Sequence, residues 1–545
     1  MTFQAGQVTE LTLGEAAHGG WCVARPADGP AVFVRHGLPG ERVRARITDV
    51  TAKFARADAV EVLRAAPERV EPPCPYARPG GCGGCDWQHA SLPAQRALKA
   101  AVVAQQLRRM AGIDREVSVE ALAGDGDHAY DDNSKKRRAG AGLGWRTRVQ
   151  FAVRSDGLAG LRAHRSHDVV DVGECLIAHP RVTGLGITAL RWPGAISVEG
   201  VTGHDGRAVI VSGGNTTDSY ENDENTALLR RGRAGGLTAL RGRTYLSQRA
   251  AGREWRVSAG VFWQVHPGAA DALAEAVLAA LAPRTGDRVL DLYCGAGLFA
   301  GVLAAAVGQG GIVVAVESDA AAVRDARHNL SGSGLPWARV HRGDVAAVLR
   351  RGGLGTARLI VADPPRAGLA REVIEYLADA GNDTERFAYV SCDPATMARD
   401  IALLTARGWT LNGLRAFDAF PMTHHVECVA TLTRVLAAAL LLERLGAGGS
   451  GHVIAEAWHA GQQPFVLEDS QRLGAGLPGM PVFLAERGDG RRGVARRELP
   501  FGDVPADPCR ETNICPWVRF VTYRHPCTIL DWQHCHSQRF DTSRR

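Results

Sequence analysis

The chain predicts an α/β protein whose main core is a doubly wound parallel sheet, preceded by a small β-barrel and a mixed α/β central part. Three observations carry this. Across residues 255–434 apolar runs alternate with helical periodicities, strand then helix, the mark of a parallel sheet covered by helices on both faces. Residues 1–64 instead show short β-type runs separated by Gly and Pro turns, as in small antiparallel barrels. A length of 545 residues exceeds one ordinary domain and implies roughly three to four units. We therefore divide the chain into a barrel (1–64), a central domain (65–252, with a flexible insertion at 124–142), the doubly wound domain (253–434) and an irregular tail of unknown role (435–545).

In order along the chain, Ala31–Arg35, Arg42–Val50 and residues 57–63 read as barrel strands, with a turn at Gly37-Leu38-Pro39-Gly40. Arg25, Arg35, Arg42, Arg44, Arg46 and Arg56 with Phe33 and Phe54 can form a basic, partly aromatic face for single-stranded nucleic acid, or simply a solubilising surface. A Pro-, Gly- and Cys-rich stretch at 72–89 leads into a helical pattern over 91–110. The insertion is polar, and its Lys-Lys-Arg-Arg reads as a solvated tract or an RNA contact. Strands dominate 144–252, with a hairpin at Ser155-Asp156-Gly157. The helix Ala269–Leu281 carries Leu273, Val277 and Leu281 on one face.

With 45% hydrophobic and 22% charged residues the composition excludes a wholly disordered or fibrous chain. The net charge is +6, and 60 of the 64 basic residues are arginine, the side chain suited to phosphate and base contacts. The first residues have neither a charged leader nor an apolar stretch, and no uncharged run approaches the ~18 residues of a membrane helix, so the expectation is a cytoplasmic protein without a membrane partner. Twelve cysteines in a reducing compartment then point to metal ligands, catalytic thiols or packing rather than disulfides.

A strand at Arg288–Leu292 runs into Tyr293-Cys-Gly-Ala-Gly-Leu298 and then an apolar helix, an order in which Gly295 and Gly297 let the backbone approach a nucleotide-like ligand. Glu317 closes the next strand, where an acidic side chain takes ribose hydroxyls, and Asp344 follows the third, within reach of an adenine amine. The loop has no lysine and so is not a triphosphate loop, and its spacing suits S-adenosylmethionine (SAM) better than NAD. Asp363-Pro-Pro-Arg366 and Ser391-Cys392-Asp393-Pro394 each follow a strand, at the carboxyl ends where open α/β sheets bind ligands. Asp393 and Pro394 suit the start of a helix, so the Cys392 thiol is expected beside a helix amino end, where the local potential favours thiolate. On position alone it is equally well a buried filler.

Cys74, Cys82 and Cys85 sit in a Gly/Pro loop, with Cys175 far downstream. Three close thiols and one remote one can ligate zinc or an iron–sulfur cluster, and spacing leaves that choice open.

Phe-Trp-Gln264-Val-His266, Leu-Asp-Leu-Tyr293-Cys-Gly-Ala-Gly297, Asp363-Pro-Pro-Arg-Ala-Gly, Ser391-Cys-Asp-Pro-Ala-Thr-Met-Ala-Arg-Asp400 and Phe420-Pro-Met-Thr-His-His-Val-Glu427, in that order, resemble the bacterial SAM-dependent RNA uracil-C5 methyltransferases. The resemblance runs from about residue 5 to 434, since the barrel looks like the TRAM RNA-binding domain, of oligonucleotide-binding type, that precedes many of these enzymes. It implies a class I SAM methyltransferase domain with a Rossmann-like fold. SAM would be held by Gln264, Tyr293, Glu317, Asp344 and Asp363, Cys392 would be the nucleophile and Glu427 the base. It also favours a [4Fe-4S] cluster over zinc at Cys74, Cys82, Cys85 and Cys175, although the gap between the first two cysteines is longer than usual. Leu298 stands where a polar residue is common and His266 where asparagine is usual. The implied product is 5-methyluridine in structured RNA, 23S ribosomal RNA first and transfer RNA second, with no obligate protein partner. The competing class is a catalytically silent RNA-binding iron–sulfur protein, against which stands the presence of both Cys392 and Glu427. In the tail, Cys509, Cys515, Cys527 and Cys535 match no close metal pair.

Overall fold

The computed structural model describes residues 3–27, 29–123, 142–214, 224–379, 381 and 383–434. The insertion, apart from Gly142, and the tail with its four cysteines lie outside the described residues.

Six strands build the amino-terminal sheet: β1 (Val8–Thr12), β2 (Ala16–Ala17), β3 (Trp21–Ala24), β4 (Ala31–Arg35), β5 (Arg42–Val50) and β6 (Phe54–Arg64), in the order β1-β5-β6-β4-β3-β2. In β5 the alternation is strict, with Val43, Ala45 and Ile47 buried and Arg42, Arg44 and Arg46 exposed, the pattern of a sheet with one wet face. The pairing departs from a purely antiparallel barrel at one place, because β4 runs parallel to β6.

After the cysteine loop comes α1 (Leu92–Gln106), which starts with Leu92-Pro93 and ends in a π-helical turn closed by Gly112 at φ 67°. A short strand, β7 (Val119–Glu120), follows. The central sheet comprises β8 (Arg148–Val153), β9 (Ala159–Arg162), β10 (Val169–Val170), β11 (Ala195–Thr202), β12 (Arg207–Gly213), β13 (Thr226–Arg231) and β14 (Leu237–Arg241), in the order β10-β9-β8-β11-β12-β13-β14. The expected hairpin joins β8 to β9, with Gly157 at φ 83° and the Asp156 carboxylate accepting the Leu158 amide at 3.1 Å. The short α2 (Pro180–Thr183) and the hairpin β15 (Tyr245–Ala250) and β16 (Arg253–Ser258) complete this part.

The doubly wound part alternates regularly: α3 (Ala269–Leu281), β17 (Arg288–Leu292), α4 (Leu298–Val307), β18 (Ile312–Glu317), α5 (Ala320–Gly332), β19 (Ala338–Arg342), α6 (Val345–Arg351), β20 (Leu359–Ala362), α7 (Arg371–Ala378), β21 (Arg386–Ser391) and α8 (Pro394–Thr405). Two antiparallel strands, β22 (Trp409–Phe417) and β23 (Glu427–Arg434), close it. The sheet order is β19-β18-β17-β20-β21-β23-β22-β7. Strand residues alternate between two apolar cores: Val289, Val313 and Ala315 pack on one face, Leu290, Leu292, Val314 and Val316 on the other. Both faces are therefore dry, as a parallel sheet under helices requires. Residues 92–120, which the sequence places in the central domain, serve this sheet. Val103 and Leu107 enter its second core, and β7 pairs with β22. Among the described residues no helix is long and apolar enough to cross a membrane.

Candidate active site

Because β17, β18, β20 and β21 are parallel, their carboxyl ends lie along one edge, and the residues that follow them form the cleft. The glycine loop leaves β17 through Tyr293, whose φ of 66° is unusual for a side chain of that size. A Cβ on Gly295 would meet nothing within 4 Å, so that backbone lies open to a ligand. One on Gly297, at φ 93°, would sit 3.3 Å from the Ala326 Cα, which is why α4 and α5 can approach so closely there. Glu317 fixes the loop from the next strand: its carboxylate accepts the Gly295 amide at 3.0 Å and the Asp319 amide at 2.7 Å. Asp344 caps α6, taking the Ala347 amide at 2.9 Å on one oxygen. Gln264 is buried before α3, and Asp363 follows β20.

One member of this acidic group escapes sequence reasoning. Asp291 lies inside β17, fully buried, and burial pushes its carboxyl up to about 8, with the charges of Asp363 and Glu317 adding to the effect. The available signal is a carboxylate in an otherwise apolar strand, where an ionised group is costly.

Cys392 follows β21, and β23 runs antiparallel to that strand with Ser391 opposite Cys428. This register brings Glu427, the residue before Cys428, to the strand end that carries Cys392. Glu427 is buried, and burial together with Asp363 raises its carboxyl well above the usual range while Arg366 opposes. The expected thiolate-favouring helix end is not what Cys392 meets. Asp393 takes the free amides of α8 for itself, from Ala395 at 3.0 Å and Thr396 at 2.9 Å. Burial and the charges of Glu427 and Asp363 push the thiol up to about 12, and the Arg366 guanidinium only partly offsets them. Asp393 also faces His18 of the barrel at 3.2 Å; burial would raise its carboxyl, but these partners bring it down to about 2. Cys294 and Cys428 are buried packing residues.

The two departures from the usual pattern have physical accounts. His266 accepts the Gly268 amide on Nδ1 at 3.1 Å, an interaction an asparagine oxygen could make, and stacks on Trp145. Leu298 is the first residue of α4 and points into the core.

Cys74, Cys82, Cys85 and Cys175 are free thiols lining one cavity of about 560 Å³, together with Arg146 and His164. The structure thus joins the remote cysteine to the close three. Burial raises Cys82, Cys85 and Cys175, and neighbouring thiols of the set add to each shift. Among the described residues no three Cys, His, Asp or Glu side chains are grouped closely enough to hold a single ion. The proposed RNA face of the barrel is more neutral than its arginines suggest. Arg35 is buried against Asp86, Arg44 pairs with Glu10 and Glu61, and Arg56 pairs with Asp49 while lying over Phe54. Arg25 and Arg46 are exposed.

Comparison with known proteins agrees with this fold. Family models match for the TRAM domain over residues 3–60, the Methyltransferase small domain over 255–380 and tRNA (Uracil-5-)-methyltransferase over 356–435. The "Uncharacterized RNA methyltransferase" of Streptomyces avermitilis is 49% identical over 434 residues, covering 78% of this chain and 98% of that protein. The 23S rRNA (uracil(1939)-C(5))-methyltransferase RlmD of Shewanella sp. strain MR-4 is 31% identical over 458 residues, 79% of this chain and 94% of that one. The solved tRNA (uracil-54, C5)-methyltransferase of Pyrococcus abyssi, in complex with S-adenosyl-L-homocysteine, shares the fold with a TM-score of 0.57 over 77% of this chain and 99% of that one, at 22% identity. With a TRAM domain ahead of a class I methyltransferase fold, this chain belongs to the SAM-dependent RNA (uracil-C5-)-methyltransferase family and is an RNA methyltransferase.

Proposed function

We propose that the enzyme makes 5-methyluridine at one uridine of 23S ribosomal RNA, in the cytoplasm, through a covalent bond between Cys392 and C6 of the base. The observation that carries this is the register of β21 and β23, which brings a thiol and a buried carboxyl to one strand end, on the carboxyl edge of the sheet that also bears the glycine loop two strands away. Uracil C5 is a poor nucleophile. Attack of the Cys392 thiolate on C6 moves the ring electrons to O4, and the resulting enolate has a carbon able to take a methyl group. The resting thiol is neutral and must first give its proton to solvent; Arg366, the cation that faces it, supports the thiolate that remains. SAM supplies the methyl group as a cation equivalent and leaves as S-adenosylhomocysteine; Gln264, Tyr293, Glu317, Asp344, Asp363 and the open backbone at Gly295 would hold it. Glu427 must be in its carboxylate form for the last step, having lost its own proton to solvent, and then accepts the C5 proton. The C5–H electron pair forms the C5=C6 bond as the C6–S bond breaks, and the thiolate is restored. The base must leave its stack to reach the cleft.

The choice of 23S RNA rests on the relative named for that substrate and on the four thiols around one cavity. Transfer RNA is the second reading, favoured by the family model matching residues 356–435. Cys74, Cys82, Cys85 and Cys175 would hold a [4Fe-4S] cluster rather than zinc. The preference for the cluster rests on the family resemblance; a soft, all-thiol set around one cavity is the donor chemistry that a cluster takes. Because methyl transfer needs no electron, the cluster would organise structure or RNA.

The test uses in vitro transcribed 23S rRNA and tRNA with SAM, mapping 5-methyluridine by mass spectrometry. The same 23S transcript made with 5-fluorouridine should give a denaturant-stable adduct with the parent protein and none with Cys392→Ala; an adduct that persists in the variant removes Cys392 from this role. Iron and sulfide analysis after anaerobic purification separates a cluster from zinc.

A further inference from the structure

The loop that delivers Glu427, residues 418–426, is held by groups more than three hundred positions away. On α1, fully buried Lys99 forms a short ion pair with fully buried Asp418 and donates to the Phe420 carbonyl at 3.0 Å. One turn earlier on the same face, Gln95 is also fully buried. Its oxygen accepts the Met422 amide at 2.7 Å, and its nitrogen donates to the Ala90 carbonyl at 2.9 Å. From the cysteine loop, the amides of Asp86 and Trp87 both donate to the Met422 carbonyl at 3.0 Å. The Asp86 carboxylate accepts the His424 amide at 3.2 Å and meets its Nδ1 at 2.6 Å. Met422 itself is buried at φ 68°, a conformation costly for a side chain and kept only where the surroundings over-determine it. Every polar group of its backbone is used in doing so, and its side chain packs with Trp145 and Ile177 in a cluster that Cys85 and Cys175 touch.

We propose that Gln95, Lys99 and Asp86 are positioning residues that set Glu427 for removal of the C5 proton. This rests on the reading of Glu427 as the base. Methyl transfer needs the thiolate, at the end of β21, and the cofactor, which residues outside 418–426 would hold, whereas a general base must lie within hydrogen-bond reach of the proton it takes. Releasing the strained loop therefore slows the last chemical step, in which the proton passes to the Glu427 carboxylate and the C6–S bond breaks.

The experiment compares the full-length parent with Gln95→Met, the double variant Lys99→Met/Asp418→Leu and Glu427→Gln on 23S transcript. The double variant replaces a buried ion pair with apolar groups of similar size, a change a fold tolerates better than loss of one partner. Glu427→Gln should stall as a methylated, denaturant-stable protein–RNA adduct on unmodified RNA. Gln95→Met and the double variant should accumulate the same adduct, with turnover down ~10- to 100-fold, a part of the ~10²–10⁴-fold that a general base contributes. Adduct formation with the 5-fluorouridine transcript, where no C5 proton exists to remove, should stay within about threefold of the parent, since positioning the base is not needed for it. If Glu427→Gln turns over normally, the base assignment fails. If Glu427→Gln stalls but the other variants slow both steps alike, or neither, the clamp fails.

Discussion

The two walls of the cleft are built by opposite means. On the cofactor side the loop is fastened by its own neighbourhood: the Cys294 amide bonds the Val316 carbonyl and the Gly295 amide bonds Glu317, partners about twenty residues on. On the base side, nearly every strong hold on residues 418–426 comes from residues 86–99, across the whole central domain. A local wall can form as soon as its strand–loop–helix unit forms. A remote wall exists only when the entire chain has folded, so its geometry reports on the fold as a whole.

Mutations can sharpen or break that contrast. The largest effect belongs to the nucleophile shared by both walls: Cys392→Ala should lower 5-methyluridine formation on the order of 10⁴-fold or more, measured by methyl incorporation from labelled SAM. Next, Lys99→Met alone leaves Asp418 buried and uncompensated and should cost about 3–5 kcal/mol. This is read as a lower urea midpoint at unchanged slope, and a loss under about 1 kcal/mol would mean that the remote hold is weak. Third, the thiol pushed up to about 12 is protonated across the working range. Adduct formation with 5-fluorouridine RNA should therefore rise about tenfold per pH unit from roughly 7 to 9, and a plateau near about 8.5 would indicate an ordinary thiol. The smallest effects lie on the local wall. Gly297→Ala should cost about 1–2 kcal/mol through its left-handed backbone and its contact with Ala326. Gly295→Ala, with open space around the new Cβ, should cost about 1 kcal/mol through its left-handed backbone alone and act mainly by raising the KM for SAM.

The same contrast explains what sequence could disclose. Continuous apolar runs alternating with helical spacing announced the parallel sheet, and the glycine loop declared itself because its demands fall on consecutive residues. Cys392 stood out by its place between a strand end and a helix start, which left nucleophile and filler open, whereas Glu427 was legible only through the family resemblance; their meeting depends on a strand register that pairs Ser391 with Cys428. The expectation of a helix-activated thiol failed because Asp393, itself a good cap, consumes those amides. Arg35 was counted with a wet face although it pairs inward with Asp86, and the parallel pairing of β4 with β6 leaves no local trace. Gln95 and Lys99 looked like ordinary polar residues of a helix; nothing near them in sequence says that both are fully buried.

The short strand at Val119–Glu120 has a consequence for anyone who cuts the gene. It borders the catalytic sheet at β22, and Val103 and Leu107 just upstream share a core with Met397, Ile401 and Leu404 of α8. A recombinant fragment starting near Trp255 would be born with a bare sheet margin and an oily groove, whatever its own motifs. Chimeras that exchange barrels between relatives are better joined before α1 than after the central domain.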